Sequence, residues 1–141
     1  MESVKGIKLG REMKVSELVE QMKRTGFGAR KIGRAAEIAG RMFADKDCKV
    51  FMGLAGAMVP AGMKQVVIDL IKADRIDVLV STGANLTHDL IEAMGNEHYH
   101  CDVWNDEEFH KKGYDRIYNV LMKNDVYVKL EKFFEENFVQ K

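Results

Sequence analysis

The side chains able to do chemistry gather in three short stretches. The first is Ser81-Thr82-Gly83-Ala84-Asn85-Leu86-Thr87-His88. Its small residues let a ligand approach the backbone, and its histidine changes charge near neutral pH. At the start of a helix, His88 is expected with a lowered pKa and a neutral ring, fit to stack on a flat ligand or to accept a proton. A surface histidine is the competing reading. The second stretch runs Gly53-Leu54-Ala55-Gly56-Ala57-Met58-Val59-Pro60-Ala61-Gly62. Its glycines do not follow G-x-G-x-x-G, and packing glycines are the alternative to a ligand loop. The third gathers His98, His100, Cys101 and Asp102, with His110 beyond. On a strand His98 and His100 share a face and Cys101 points away. The spacing matches no standard zinc pattern, so satisfied or surface histidines are expected and no metal.

The first two stretches each follow a short apolar run. Ile76 to Ser81 is β-branched and apolar, as in a strand buried on both faces of a parallel sheet. Leu86, Leu90, Ile91 and Met94 then recur at helical spacing, so a helix is expected over 86–95, beginning near Asn85 or Leu86. Strand 48–54 likewise leads into a helix that opens at Pro60 and carries Met63, Val66, Val67, Leu70 and Ile71. Strand, small-residue turn, helix is the unit of a doubly wound domain, in which ligands collect at the carboxyl ends of the strands. There a helix N-terminus offers free N–H groups to an anion.

The remaining elements frame these units. Residues 1–13 read as a polar arm, followed by one α/β domain over 14–141. Val15, Leu18, Val19 and Met22 mark a short helix that stops at Gly26. A longer helix over 29–44 would bury Ala29, Ile32, Ala35, Ala36, Ala39, Met42 and Phe43, with Gly33, Ala36 and Gly40 allowing close packing. A third strand is expected near 98–104 and an extended segment over 116–121. Asn105 caps a helix to Lys112, and Asn124 or Asp125 caps a last helix along Val128, Leu130, Phe133, Phe134 and Phe138. Trp104 is expected as a buried anchor. The fold class is therefore α/β, a Rossmann-like three-layer domain with a mostly parallel sheet of about four strands. Such a half-sheet leaves edges to be covered, so association is expected, as a homo-oligomer or with a partner chain.

Lys plus Arg (22) equals Asp plus Glu (22), which gives no general attraction to nucleic acid or an anionic membrane. No apolar run approaches membrane-spanning length. Cys48 and Cys101 form no C-x-x-C pair and read as buried thiols. The expected compartment is the cytoplasm.

Several segments together resemble the N-terminal half of deoxyhypusine synthase and its deoxyhypusine-synthase-like relatives. They are Thr25-Gly26-Phe27-Gly28-Ala29, Ile32-Gly33-Arg34-Ala35, Val50-Phe51-Met52-Gly53-Leu54 and Gly62, Asp77 to Asn85 with Asp89-Leu90, His98-Tyr99, and Gly113 with Arg116-Ile117-Tyr118-Asn119. The resemblance implies a Rossmann-like NAD-binding domain in a homotetrameric enzyme. That family oxidises spermidine with NAD, holds its aminobutyl group on a lysine, and passes it to a lysine of translation initiation factor 5A. By position, Gly56, Ala57, Met58, Val59, Pro60, Thr82, Gly83, Ala84 and His88 would lie against NAD. Thr87 and His88 stand where the family places two acidic residues near the amine substrate. Where the family has Thr-Ser-Asn in the first loop, this chain has Ala55-Gly56-Ala57. The family's glycine-rich segment with its lysine has no match in these residues, so no catalytic residue is assigned. A separate chain bearing that half is the implied partner. The alternative is a non-catalytic nucleotide-binding or assembly module on the same scaffold.

Overall fold

The computed structural model describes residues 1–139. The chain clusters into two compact units, Met1–Val50 and Phe51–Lys141. The first unit holds α1 (Val15–Met22) and α2 (Phe27–Ala44). The arm before them has no regular structure, but it is tied down. Lys5 N–H donates to the Arg24 carbonyl at 2.8 Å, and Lys8 N–H donates to Gln21 Oε1 at 2.8 Å. Gly33 is the one buried residue of α2. A Cβ there would stand 2.6 Å from the Lys23 backbone nitrogen and 2.9 Å from the Val19 carbonyl oxygen, so only glycine lets the two helices meet this closely. Gly40 faces open space. The expected apolar stripe of α2 is not buried, for Ile32 is 56% exposed. Within this unit α1 spans only two turns and covers little of its longer neighbour. The helix also starts two residues early, at Phe27, which takes a left-handed φ of 52°.

The second unit opens with β1 (Phe51–Leu54), a wide turn over Val59–Met63, α3 (Lys64–Lys72) and β2 (Val78–Ser81). β1 and β2 pair in parallel, with Phe51 opposite Val78 and Leu54 opposite Ser81. Parallel strands need such a crossover, and a helix supplies it. Pro60 sits in the first turn of the wide segment, as its missing N–H allows. α3 ends with Arg75 N–H bonded to the Leu70 carbonyl at 2.9 Å, around Asp74 at φ 53°. This is the double closure of a left-handed helix stop, with Asp where glycine is usual.

After α4 (Gly83–Ala93) the pattern departs from expectation. β3 (Tyr99–His100), α5 (Asp106–Lys111), β4 (Tyr114–Ile117), β5 (Val120–Lys123) and α6 (Val126–Phe134) follow, and the backbone coils on over Glu135–Val139. β3, β5 and β4 form an antiparallel sheet in the order β3-β5-β4. The protein is thus mixed α/β with a two-stranded parallel sheet and a three-stranded antiparallel one. The expected four-stranded, mostly parallel sheet is not present among the described residues. The segment expected to be extended over 116–121 instead folds back on itself. Tyr118 takes a φ of 54°, and Tyr118-Asn119 become a hairpin turn that pairs Ile117 with Val120. A two-residue turn suffices for antiparallel strands. The strand expected over 98–104 shrinks to two residues, because only Tyr99 and His100 find partners on β5.

The core of this unit is Ile91, Met122 and Val126, fully buried, with Leu130 packed against them. It joins α4, β5 and α6. Both faces of a parallel sheet are normally covered. Here Phe51 is 69% and Val80 62% exposed. Trp104, expected inside, is 61% exposed. Asn105, next in sequence, holds the start of α5 by accepting from Glu108 N–H at 3.2 Å. The Arg116 guanidinium lies 4.8 Å from the centre of the Trp104 ring and covers it instead of a core. Cys101 is buried, but Cys48 is only half-buried; both are free thiols and neither lies in a strand. No described helix is long and apolar enough to cross a membrane.

Candidate functional site

The carboxyl ends of β1 and β2 lie side by side, which brings the two small-residue loops together. Thr82 N–H donates to the Leu54 carbonyl at 3.2 Å, and its hydroxyl donates to the Gly56 carbonyl at 3.3 Å. Gly56 has a φ of 60°, a conformation glycine adopts without strain. Thr82, the residue before α4, makes no side-chain capping bond to the helix. The first-turn N–H groups of α4, beginning at Gly83 and Ala84, therefore keep the anion-attracting character of a helix start.

Asn85 holds the two loops. Its Oδ1 accepts from Val59 N–H at 3.2 Å. Its Nδ2 lies 3.2 Å from the Leu54 carbonyl oxygen, 3.4 Å from that of Ala55 and 3.3 Å from Thr82 Oγ1. Only 1% of this polar side chain is exposed. A buried amide this fully bonded fixes the loop between β1 and α3 in one conformation. Sequence reasoning used Asn85 only to mark where a helix begins. The inward positions of α4 are Asn85, His88 and Ile91, a helical stripe whose first two members are polar. The signal is the helical spacing of 85, 88 and 91, which an apolar pattern does not display because two of the three are polar. Leu86, expected on the inner face, is 62% exposed, and α4 starts at Gly83 rather than at Asn85 or Leu86.

The other expected site residues divide. Gly56, Met58, Thr82, Gly83 and Ala84 are exposed, Ala57 and Thr87 are half-buried, and Val59 and Pro60 are buried. A Cβ built on Gly56 or on Gly83 meets nothing within 4 Å, so there is open space over both loops. His88 is 7% exposed and turned inward. Its Nδ1 lies 3.1 Å from His98 Nε2, and His98 Nδ1 lies 2.9 Å from Glu92 Oε1. Burial holds the His88 pKa below the ordinary imidazole value, the nearby His98 adds to this, and Glu92 opposes it. His98 also lines a cleft of about 690 Å³ with Val59, Pro60, Gly62, Glu92 and Asn119. Thr82, Gly83, Ala84 and Thr87 do not line it. His98 and His100 are thus separated in role from His110, which lies 3.9 Å from Asp115. Among the described residues no three His, Cys, Asp or Glu side chains converge on a point that could hold a metal ion.

Fold and site together define an α/β chain whose two strand-end loops are bridged by one buried amide, beside an exposed helix start. The sequence model described as deoxyhypusine synthase matches residues 17–141, and the chain belongs to that family. The probable deoxyhypusine synthase of Methanosarcina thermophila is 43% identical over 133 residues, 94% of this chain and 42% of the relative. Probable deoxyhypusine synthase 2 of Methanosarcina mazei is 50% identical over 112 residues, 79% of this chain and 32% of the relative. A deoxyhypusine synthase-like protein of Chlorobaculum tepidum is 41% identical over 113 residues, again 79% and 32%. The chain therefore spans less than half the length of these curated relatives.

Proposed function

We propose that this chain is the N-terminal part of a deoxyhypusine-synthase-like transferase and that NAD lies over its two joined loops. One observation carries the reading. In a chain of this family, Asn85 fixes the loop that follows β1 against the loop that follows β2, with open space above both. The exposed members Gly56, Met58, Thr82, Gly83 and Ala84 would face the dinucleotide, through backbone groups and the α4 N-terminus, with Ala57, Val59 and Pro60 shaping the loop beneath. NAD would supply the oxidising power for removing the aminobutyl group of spermidine, which the family passes to a lysine of translation initiation factor 5A. Thr87 and His88 border the place assigned to the amine. The nucleophilic lysine belongs to a segment that these residues do not match. Activity would then require a second chain carrying that segment, in a homo-oligomeric or mixed assembly in the cytoplasm.

The test is calorimetric titration of NAD into the chain alone and into the chain mixed with the C-terminal half of the Methanosarcina thermophila relative. Saturable binding in either sample supports the reading, and no heat in both refutes it.

A second reading is a non-catalytic nucleotide-binding or assembly module. It is favoured by Ala55-Gly56-Ala57, which offers no side-chain hydrogen-bonding group. Spermidine turnover with NAD in the mixed sample would refute it.

A further inference from the structure

Five side chains of the second unit make one continuous polar chain: Asp89, Lys64, Glu92, His98 and His88. Lys64 Nζ stands 2.6 Å from Asp89 Oδ1 and 3.4 Å from Glu92 Oε2. The bond to Asp89 raises the Lys64 pKa, burial works against it, and Glu92 adds to the rise, so Lys64 stays an ammonium. Glu92 lies next to this cation through one oxygen and turns its other oxygen to His98 at 2.9 Å. The His98 side chain is 7% exposed.

The protons can be placed by elimination. An ionised carboxylate only accepts, so His98 carries its hydrogen on Nδ1. A neutral His98 then has a bare Nε2, which only accepts. The hydrogen between the rings, 3.1 Å apart, therefore belongs to His88 Nδ1. A neutral His88 is left with a bare Nε2. No described protein group bonds that nitrogen. Among the described residues no side-chain nitrogen or oxygen is both sealed from solvent and unbonded, so His88 Nε2 reaches solvent.

We infer that Glu92 and His98 are positioning residues that set His88 in the tautomer with an open Nε2, making it a proton acceptor for an N–H or O–H group of a ligand. The transfer balances. The ligand's hydrogen bonds to His88 Nε2 and the ligand keeps the electron pair. The hydrogen on His88 Nδ1 passes to His98 Nε2, and the positive charge comes to rest on His98 beside Glu92. The two rings hold one charge between them, since a second would set two buried imidazoliums side by side. The charged and titratable groups around the pair are Glu92, with Lys64 and Asp89 behind it, and Glu97, Tyr99 and His100, which share the cleft wall with His98. The relay needs no particular cofactor; only the identity of its ligand rests on the function proposed above.

The experiment is two-bond proton–nitrogen correlation NMR on the full chain, uniformly labelled with nitrogen-15, without ligand and above the titration of both rings. The expected spectrum shows His88 and His98 both protonated on Nδ1, although free imidazole side chains favour Nε2. In His98→Phe and in Glu92→Leu, which leave no acceptor in place of the lost group, His88 should return towards the Nε2–H form. An Nε2–H signal for His88 in the unaltered chain overturns the inference, whether or not the variants fold. An unchanged His88 tautomer in two folded variants overturns it as well. Neither result depends on NAD binding, so failure here and failure of the proposed function are separable.

Discussion

Replacing Asn85 by alanine is the sharpest probe of how the site is built. The substitution strips Val59 N–H of its acceptor, in a residue only 7% exposed, and removes donors from the Leu54 and Ala55 carbonyls and from Thr82. An unsatisfied buried N–H costs about 1–3 kcal/mol, and each lost hydrogen bond about 0.5–1.5 kcal/mol net. The carbonyls lie nearer solvent and recover part of this, so the expected loss is about 2–4 kcal/mol, a large share of a domain stability of about 5–15 kcal/mol. Urea unfolding followed by far-ultraviolet circular dichroism measures it. Asn85→Asp refines the test, because its carboxylate still accepts from Val59 but faces the Leu54 and Ala55 carbonyls. Repulsion raises its folded pKa, so the folded state binds the extra proton more tightly than the unfolded one. Stability of this variant should therefore fall as pH rises through the carboxylate range and recover on acidification. A loss below about 0.5 kcal/mol for Asn85→Ala would refute the argument that this amide holds the loops.

Other expectations follow from single contacts. Gly33→Ala should destabilise the first unit, since overpacking costs about 1–3 kcal/mol while helix propensity returns about 1 kcal/mol; thermal unfolding reads the balance. Asp74→Gly should stabilise by about 0.5 kcal/mol, by removing a left-handed non-glycine from the stop of α3, as chemical denaturation would show. For His88 the folded pKa is lowered, so between that value and about 6.5 the unfolded chain binds more protons. Its contribution is fully present above the unfolded pKa and is lost as pH falls. His88→Gln should accordingly flatten the stability-against-pH curve on the acid side, checked by denaturation at several pH values. Arg116→Lys should leave stability within about 1 kcal/mol but shift the emission of Trp104, the only tryptophan, by uncovering its ring.

What the sequence disclosed was local. The runs ending at Leu54 and Ser81 are strands, each followed by a small-residue loop and a helix, because β-branched runs and helical spacing are properties of a few adjacent residues. The cap at Asn105 and the start of α6 after Asp125 have the same origin, whereas α1 stops at Met22, and Gly26, expected to end it, instead precedes α2 as its N-cap. Tertiary choices were illegible. Arg116 to Leu121 looks like one extended run, yet Tyr118 reverses it in a backbone region that its side chain disfavours, and three antiparallel strands result. His88 was legible as a titratable group, although its lowered pKa comes from burial and His98 and not from a helix start, since α4 begins at Gly83. Its partner His98 was not, since ten residues and a change of direction separate them. Asn85 escaped because an inward polar residue is recognised only once its bonding partners are placed.

The contrast between the two sheets also sets an order of assembly. Hairpin partners such as Ile117 and Val120 are near neighbours in the chain, whereas Phe51 meets Val78 only after the whole α3 crossover has closed. Local hairpins form in about 1–10 μs, and non-local parallel pairing comes later because loop closure must precede its reward. The strand-end loops hang from Leu54 and Thr82, so they are among the last parts of this unit to take shape. A partly folded chain would hold an intact β4–β5 hairpin while its strand-end loops were still unformed, and hydrogen-exchange protection at Thr82 N–H would report complete folding where helix content does not.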